Sequence, residues 1–229
     1  MQRLKDRLAH MTPRRKIEYL MEYYGQSILF ASVGVILVIL LAVHIIQKKE
    51  YVLNILPLNA DGRDIQATGT DYFQDFLKEN GIDSNHNMIG INYTIYVDTE
   101  SGRITNQDGI QMMQTLFMAQ AVDVVLADET SFEKIADEGY LANLHDYLPD
   151  EVIEQYDGCI ISTQNEETGQ LMDVGIQVKN EGWLADTGWY QNPYVCIGFA
   201  DNMSHQDLAV QFLLKILKQQ DLYITGEKK

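Results

Sequence analysis

The sequence predicts one transmembrane helix followed by an α/β domain, built on a single mostly parallel sheet with helices on both faces. Three observations carry this prediction. Residues 27–46 contain no Asp, Glu, Lys or Arg. Apolar residues alternate with polar ones over residues 89–97, which indicates a half-buried strand. Strand-like segments alternate with amphipathic helical segments over residues 51–220, and this order is typical of α/β domains.

The apolar run at residues 27–46 is long enough to cross a membrane as one helix. At 1.5 Å rise per residue, it spans a hydrocarbon core of about 30 Å. A cleaved signal peptide is the alternative, but its apolar core is about 7–15 residues long and ends at small residues. This run is longer, and its exit at residues 44–47 is bulky. We therefore expect an uncleaved anchor between a head of residues 1–26 and a C-terminal domain of residues 47–229.

Charge predicts the orientation of this anchor and restricts its partners. The head has six Lys or Arg residues against three acidic ones, and basic residues favour the cytoplasmic side. From residue 27 onward the chain has 11 basic and 30 acidic residues, a net charge of −19. Such a domain repels nucleic acid phosphates, so we exclude DNA and RNA as partners. Cationic ligands remain compatible, although the charge also simply keeps a surface hydrated.

The first half of the domain alternates strands with helices. A short apolar strand at residues 51–56 ends at Pro57. A helix over residues 71–80 has one aromatic and apolar face and ends before Gly81. The alternating strand follows. The next expected elements are a helix at residues 107–120 and a buried strand at residues 121–127, whose apolar run is typical of parallel sheets.

The second half begins with a helix over about residues 130–138, where Thr130 and Glu133 have the spacing of a capping box. Pro149 opens a short helical turn. Two short strands follow, joined by a polar turn that contains glycine. A last helix carries an apolar face. The remaining expected elements are strands at residues 159–162, 171–177 and 194–200, an irregular turn at residues 182–188, and a helix from about residue 204.

Two stretches of this domain, residues 121–144 and residues 194–213, resemble bacterial extracellular solute-binding proteins of the two-lobed periplasmic type. The first reads AVDVVLADETSFEKIADEGYLANL, similar to a strand that leads into a helix and a loop near the ligand cleft. The second reads YVCIGFADNMSHQDLAVQFL, similar to a passage that closes a lobe. Because 183 residues follow the span, the resemblance implies one lobe, anchored in a bacterial cell membrane. It further implies a small-molecule ligand such as a sugar, amine or peptide.

Candidate ligand-binding residues fall into two groups. Asp128, Glu129 and Thr130 follow the strand at residues 121–127, at the carboxyl edge where α/β proteins usually bind ligands. The alternative is that Asp128 caps the following helix. A second group is close together in the sequence and consists of Trp183, Asp186, Trp189 and Tyr190. Aromatic rings beside a carboxylate suit a sugar or amine, and the alternative is a hydrophobic plug over the sheet edge.

Other side chains offer no recognisable chemistry. Asp123 interrupts the apolar strand, and the histidines beyond the span lack metal-ligand spacing. Cys159 and Cys196 form either a disulfide or, because both lie in apolar runs, two buried free thiols. We expect no cofactor, no metal and no catalytic residue. Three functions remain: a membrane-anchored binding protein, a domain that docks a membrane or envelope protein, and, with least support, an exported hydrolase.

Overall fold

The computed structural model describes residues 12–60, 70–92, 95, 107–165 and 168–224. The chain divides into two compact units, Met1–Lys48 and Lys49–Lys229. Helix α1 occupies the first unit and all sheet strands belong to the second. The predicted strand at residues 89–97 lies partly outside the described residues, since residues 93–94 and 96–97 are not among them.

Helix α1 runs from Pro13 to Gln47 and begins earlier than the apolar run that predicts it. Proline suits the first turn of a helix, because its missing N–H has no helical acceptor there. Over the described residues, α1 alone is long and apolar enough to cross a membrane, with a candidate span at Met21–Val43 and a mean hydropathy of 2.6. None of that span is buried against protein. Its length and composition are therefore sufficient to cross a membrane once.

The second unit contains one six-stranded sheet with helices packed around it. The strand order is β2-β1-β3-β6-β5-β4. The strands are β1 (Glu50–Pro57), β2 (Asn87–Ile91), β3 (Val124–Ala127), β4 (Ile160–Gln164), β5 (Leu171–Lys179) and β6 (Tyr194–Phe199).

This sheet is mixed, so the prediction of a mostly parallel sheet is wrong. Strand β1 is parallel to β2 and β3, but the pairs β3–β6, β6–β5 and β5–β4 are antiparallel. For the parallel pairs and for the β4–β5 pair, the physical reason is the length of the connection. Parallel neighbours need a crossover of a dozen or more residues, which helices α2 (Thr70–Glu79) and α3 (Gln107–Met118) provide in the first half. Only six residues separate β4 from β5, which is enough for a hairpin.

Helices cover the central strands on both faces, as the burial of every residue of β3 shows. Phe132 on α4 (Glu129–Asp137) packs directly over Gly175 and Gly198 of neighbouring strands, where a Cβ atom would collide with its ring. Glycine at these two positions lets α4 lie close to the sheet. The remaining elements are the 3₁₀ turns Leu144–Asp146 and Asp157–Cys159, α5 (Asp150–Gln155), α6 (Trp183–Thr187) and α7 (Gln206–Ile224).

Two local expectations differ from the structure. The residues expected as an irregular turn at 182–188 form the short helix α6, which ends at the left-handed Gly188. Helix α4 begins at Glu129, and its N-cap is Asp128, so Thr130 does not cap it. The Asp128 side chain reaches the N–H of Ser131, three residues on, as an N-cap requires.

Candidate functional site

The carboxyl edge of the parallel strands brings two distant loops together. Leu58, which follows β1, donates its N–H to the carbonyl of Leu126 in β3 at 2.8 Å. The next residue, Asn59, adopts a left-handed backbone with φ of 55°, a conformation that asparagine tolerates. This geometry turns the Asn59 side chain toward Asp128, which follows β3.

Asp128 is a buried carboxylate that holds this edge together. Its Oδ2 accepts hydrogen bonds from Asn59 Nδ2 at 3.0 Å and from Ser131 Oγ at 2.7 Å. Its Oδ1 accepts the backbone N–H of Ser131 at 3.1 Å. The side chain is 8% exposed, whereas the neighbouring Glu129 and Thr130 are exposed. Asp128 therefore shapes the edge as a helix cap, and Glu129 and Thr130 present its accessible polar groups.

Tyr190, which follows helix α6, contacts β3 near the same edge. The hydroxyl of Tyr190 donates to the carbonyl of Leu126 at 2.9 Å. Burial, and then the charge of Asp128, raises the pKa of Tyr190, so this hydroxyl keeps its proton. Asp186 on α6 is exposed. The fold thus brings Tyr190, from the second group of sequence-predicted residues, to β3 close to Asp128.

The two tryptophans belong to an aromatic cluster inside the domain. Trp183 is 6% exposed and Trp189 is 2% exposed. The ring of Tyr72 on α2 stacks on Trp183 with centroids 4.2 Å apart, and the two indoles meet edge to face at 5.6 Å. Phe73 and Phe212 complete the cluster. Its packing is that of a core, and the role of these indoles in binding a ligand stays a prediction.

Three polar atoms in this cluster are buried without a hydrogen-bond partner in the described part of the chain: Trp183 Nε1, Trp189 Nε1 and the Tyr72 hydroxyl. Each buried donor without a partner costs about 1–3 kcal/mol. Burial, with a smaller contribution from Glu79, raises the pKa of Tyr72, so its hydroxyl also remains a donor. The cluster thus holds hydrogen-bond donors that a ligand, a partner or a bound water could satisfy.

Asp123 has a structural role at the opposite end of β3. Its carboxylate is fully buried and accepts five hydrogen bonds. Asn54 donates its backbone N–H at 2.7 Å, and Ser204 and His205 each donate a backbone N–H at 2.9 Å. This carboxylate joins β1 to the segment before α7. The one sequence signal for it is a charged residue inside an otherwise apolar strand.

A second group of polar side chains surrounds His145 and has no obvious signal in the sequence. The Nε2 atom of His145 lies 3.1 Å from Asp173 Oδ2, and its Nδ1 atom lies 3.2 Å from Asp150 Oδ1. These hydrogen bonds, first that to Asp173, raise the pKa of His145. Ser162 donates to Asp173 at 2.6 Å, so the carboxylate lies between the hydroxyl and the imidazole. The Ser162 hydroxyl therefore contacts the carboxylate rather than the imidazole, so the three groups do not form the serine–histidine contact that activates a nucleophile.

The cysteines are both free thiols but only one is buried, so the structure shows neither the disulfide nor the pair of buried thiols that the sequence left open. Cys159 is exposed, and Cys196 is buried in β6. Burial, followed by the charges of Glu129 and Asp128, raises the pKa of Cys196 to about 12. Cys196 is therefore an unreactive core residue. Among the described side chains, no group of three or more His, Cys, Asp or Glu residues is arranged to hold a metal ion.

No protein-family model, no curated protein and no solved structure matches this chain. The candidate site is thus defined by its own geometry. At the carboxyl edge it consists of the buried Asp128 cap and the exposed Glu129 and Thr130, whereas Asp186 is an exposed residue of α6 and the two tryptophans lie in the aromatic cluster.

Proposed function

We propose that this chain is a single-pass membrane protein whose α/β domain lies outside a bacterial cell and binds a ligand there. In this proposal the domain resembles one lobe of the solute-binding proteins that serve ABC transporters. The observation that supports this proposal is the short connection between the apolar helix and the domain. A helix long and apolar enough to span a membrane ends at Gln47, and the first strand of the domain starts at Glu50. A domain tethered so closely acts at the membrane surface.

The proposed ligand site is the carboxyl edge of β1 and β3. Glu129 and Thr130 expose polar groups there, and in this proposal the exposed Asp186 of α6 also contacts the ligand. The buried hydrogen bonds among Asp128, Asn59 and Ser131 hold the edge in place, so little ordering is needed on binding. Carboxylates and a threonine hydroxyl suit a sugar, an amine or a peptide amino group.

Thermal unfolding of the full-length chain in detergent, with a panel of sugars, polyamines, amino acids and peptides, tests this proposal. A ligand at about 100 times its dissociation constant adds about 2.7 kcal/mol of stability. Glu129→Gln should reduce the shift produced by a cationic compound. Glu133→Gln is the matched control, because Glu133 is exposed one turn later on the same helix. A shift that both variants reduce equally would place the ligand elsewhere.

A docking function is the second candidate, and two exposed apolar side chains favour it. Met118 at the end of α3 is 82% exposed, and Leu171 at the start of β5 is 73% exposed. Strands β3 and β5 are each antiparallel to β6, so they run in the same direction. Met118 precedes β3, and Leu171 is the first residue of β5. Met118 and Leu171 therefore lie toward the edge of the sheet opposite Asp128, where an envelope protein would bind them.

Photo-crosslinking in intact cells distinguishes the two candidates. A photoreactive residue at position 118 or 171 should capture the same protein partner if the domain docks there. The same residue at position 129 is the control from the opposite edge. Capture at positions 118 and 171 but not at 129 supports docking, and capture of that partner at 129 alone contradicts it.

A further inference from the structure

Three exposed side chains lie at the amino edge of the sheet, which is the edge where the mutually parallel strands β1, β3 and β5 begin. Met118 is 82% exposed, Leu171 is 73% exposed and Tyr51 is 56% exposed. They are the three most exposed large apolar or aromatic side chains among the described residues of the second unit. Such groups at one edge of a domain indicate a surface that contacts another molecule or a membrane.

The register of the sheet places Tyr51 and Leu171 at nearly the same height. Tyr51 precedes Pro57 by six residues, and Leu171 precedes Ile176 by five. At about 3.3 Å per residue, they lie about 20 Å and about 17 Å from the row of paired residues that contains Pro57 and Ile176. This row crosses four neighbouring strands and consists of Pro57, Leu126, Ile197 and Ile176.

Hydrogen bonds place Met118, the last residue of α3, at the same edge. The Phe117 carbonyl accepts a hydrogen bond from the Asn202 side chain at 2.7 Å. The Gln120 carbonyl accepts one from the Ser204 hydroxyl at 3.1 Å. Both donors follow β6, which is antiparallel to β3 and therefore ends at the amino edge. The turn that contains Met118 is thus held at this edge.

The helix that can span a membrane is connected to the domain at this edge. Its candidate span ends at Val43, the helix ends at Gln47, and β1 begins at Glu50. Three residues of fully extended chain reach at most about 11 Å, so the first residue of β1 stays that close to the end of the helix. A tether this short keeps the amino edge next to the lipid surface at a high effective concentration. Weak apolar contacts are then sufficient to hold the edge there.

We propose that the amino edge rests on the outer surface of the membrane that anchors the chain, with Met118, Leu171 and Tyr51 in the interfacial layer of the lipid. Leucine and methionine side chains gain free energy when they leave water, and tyrosine is enriched in this layer because its ring is apolar and its hydroxyl is polar. The short tether favours lipid over a protein as the occupant. This inference rests on the proposed membrane anchor. It also directs Glu129 and Thr130, at the carboxyl edge, away from the membrane toward soluble ligands.

Fluorescence quenching in phosphatidylcholine nanodiscs tests this inference. The full-length chain with Cys159→Ser receives one further substitution, Met118→Cys, Leu171→Cys or Tyr194→Cys, and an environment-sensitive fluorophore on the new thiol. A nitroxide on the acyl chain of part of the lipid quenches fluorophores that enter the bilayer. This lipid has no net charge, so attraction by Lys48 and Lys49 does not contribute.

We expect quenching at positions 118 and 171 and none at position 194. Tyr194 is the matched control, because it is an exposed aromatic residue that begins β6 at the opposite edge. Leu171→Ser should reduce the quenching at position 118 with an unchanged unfolding midpoint, because an exposed side chain contributes little to the stability of the fold. Tyr194→Ser should leave that quenching unchanged.

A fluorophore at Val35→Cys, inside the candidate span, separates failure of this inference from failure of the anchor. Absence of quenching at position 35 would show that the helix does not enter the bilayer, and both proposals would fall. Quenching at position 35 without quenching at positions 118 and 171 would overturn this inference alone and favour a protein as the occupant of the amino edge. Quenching at position 194 equal to that at position 171 would also overturn it.

Discussion

Replacement of Asp123 by alanine should destabilise the domain more than any exposed acidic substitution. The change removes all five hydrogen bonds that the buried carboxylate accepts. Three of the donors are backbone N–H groups. Those of Ser204 and His205 belong to residues that are exposed or half-buried, so water can replace the lost acceptor. The N–H of Asn54 lies inside β1, between β2 and β3, where water cannot easily reach it.

The size of the stability loss depends on whether water can reach each backbone donor that loses its acceptor. A buried donor left without a partner costs about 1–3 kcal/mol, and each hydrogen bond replaced by water costs about 1 kcal/mol. Since Asn54, Ser204 and His205 are all affected, Asp123→Ala should lower the free energy of unfolding by about 3–5 kcal/mol. This loss is large beside the total of about 5–15 kcal/mol for a typical domain.

Urea denaturation of the full-length chain in detergent, followed by tryptophan fluorescence, measures this loss. Asp123→Asn is an intermediate case, because its amide keeps one acceptor oxygen but turns an NH₂ group toward the remaining donors. We expect it to lose about half as much as alanine. Asp75→Ala is the matched control, since Asp75 is exposed on α2, and it should change stability by no more than about 0.5 kcal/mol. A loss at Asp123 no larger than that of the control would refute the structural role of this carboxylate.

Three further predictions concern buried hydroxyls, His145 and the cysteines. Tyr72→Phe removes a buried hydroxyl that has no partner in the described chain, so it should stabilise the domain by about 0–1 kcal/mol. Tyr190→Phe loses a hydrogen bond and should cost about 1 kcal/mol. Equal effects of the two variants in urea denaturation would contradict this difference between the two hydroxyls. The pKa of His145 is raised in the folded state. Its contribution to the stability of the domain is therefore fully present below the unfolded pKa of about 6.5 and is lost as pH rises through the folded pKa. His145→Gln should therefore destabilise the chain at about pH 6 but not at about pH 9, and by less than about 1 kcal/mol because the side chain is 44% exposed; a loss independent of pH would exclude this mechanism. A thiol reagent should modify one cysteine, Cys159, in the native chain and a second only in denaturant, as mass spectrometry would show; native modification of Cys196 would contradict its burial.

Local pattern was sufficient to predict most elements of this fold. The apolar runs predict strands at β1, β3 and β6, because burial of a strand requires apolar residues that are close together in the sequence. Pairing direction is not local. The reversal of β6 between β3 and β5 depends on how residues 180–193 connect two strands, and no residue type in that stretch encodes it.

The candidate site shows the same division between local and distant contacts. The capping of α4 by Asp128 was foreseen as an alternative, since an N-cap involves residues three apart. The contact between Asp128 and Asn59 joins residues 69 positions apart, and that between Asp123 and His205 joins residues 82 apart. The ion pair of Lys215 and Glu79 joins residues 136 positions apart. These contacts need the folded sheet and helices to bring them together, so the sequence alone did not reveal them.

The central claim is that a membrane-anchored chain holds its α/β domain outside the cell, and Cys159 provides the most direct measurement. A membrane-impermeant maleimide is applied to spheroplasts that contain the full-length chain, with lysed spheroplasts as the reference and Cys159→Ser as the control. Because Cys159 is exposed and Cys196 is buried, labelling reports the location of one thiol. The account predicts equal labelling of Cys159 before and after lysis, and no labelling of the variant. Labelling that appears only after lysis would place the domain in the cytoplasm and contradict the account.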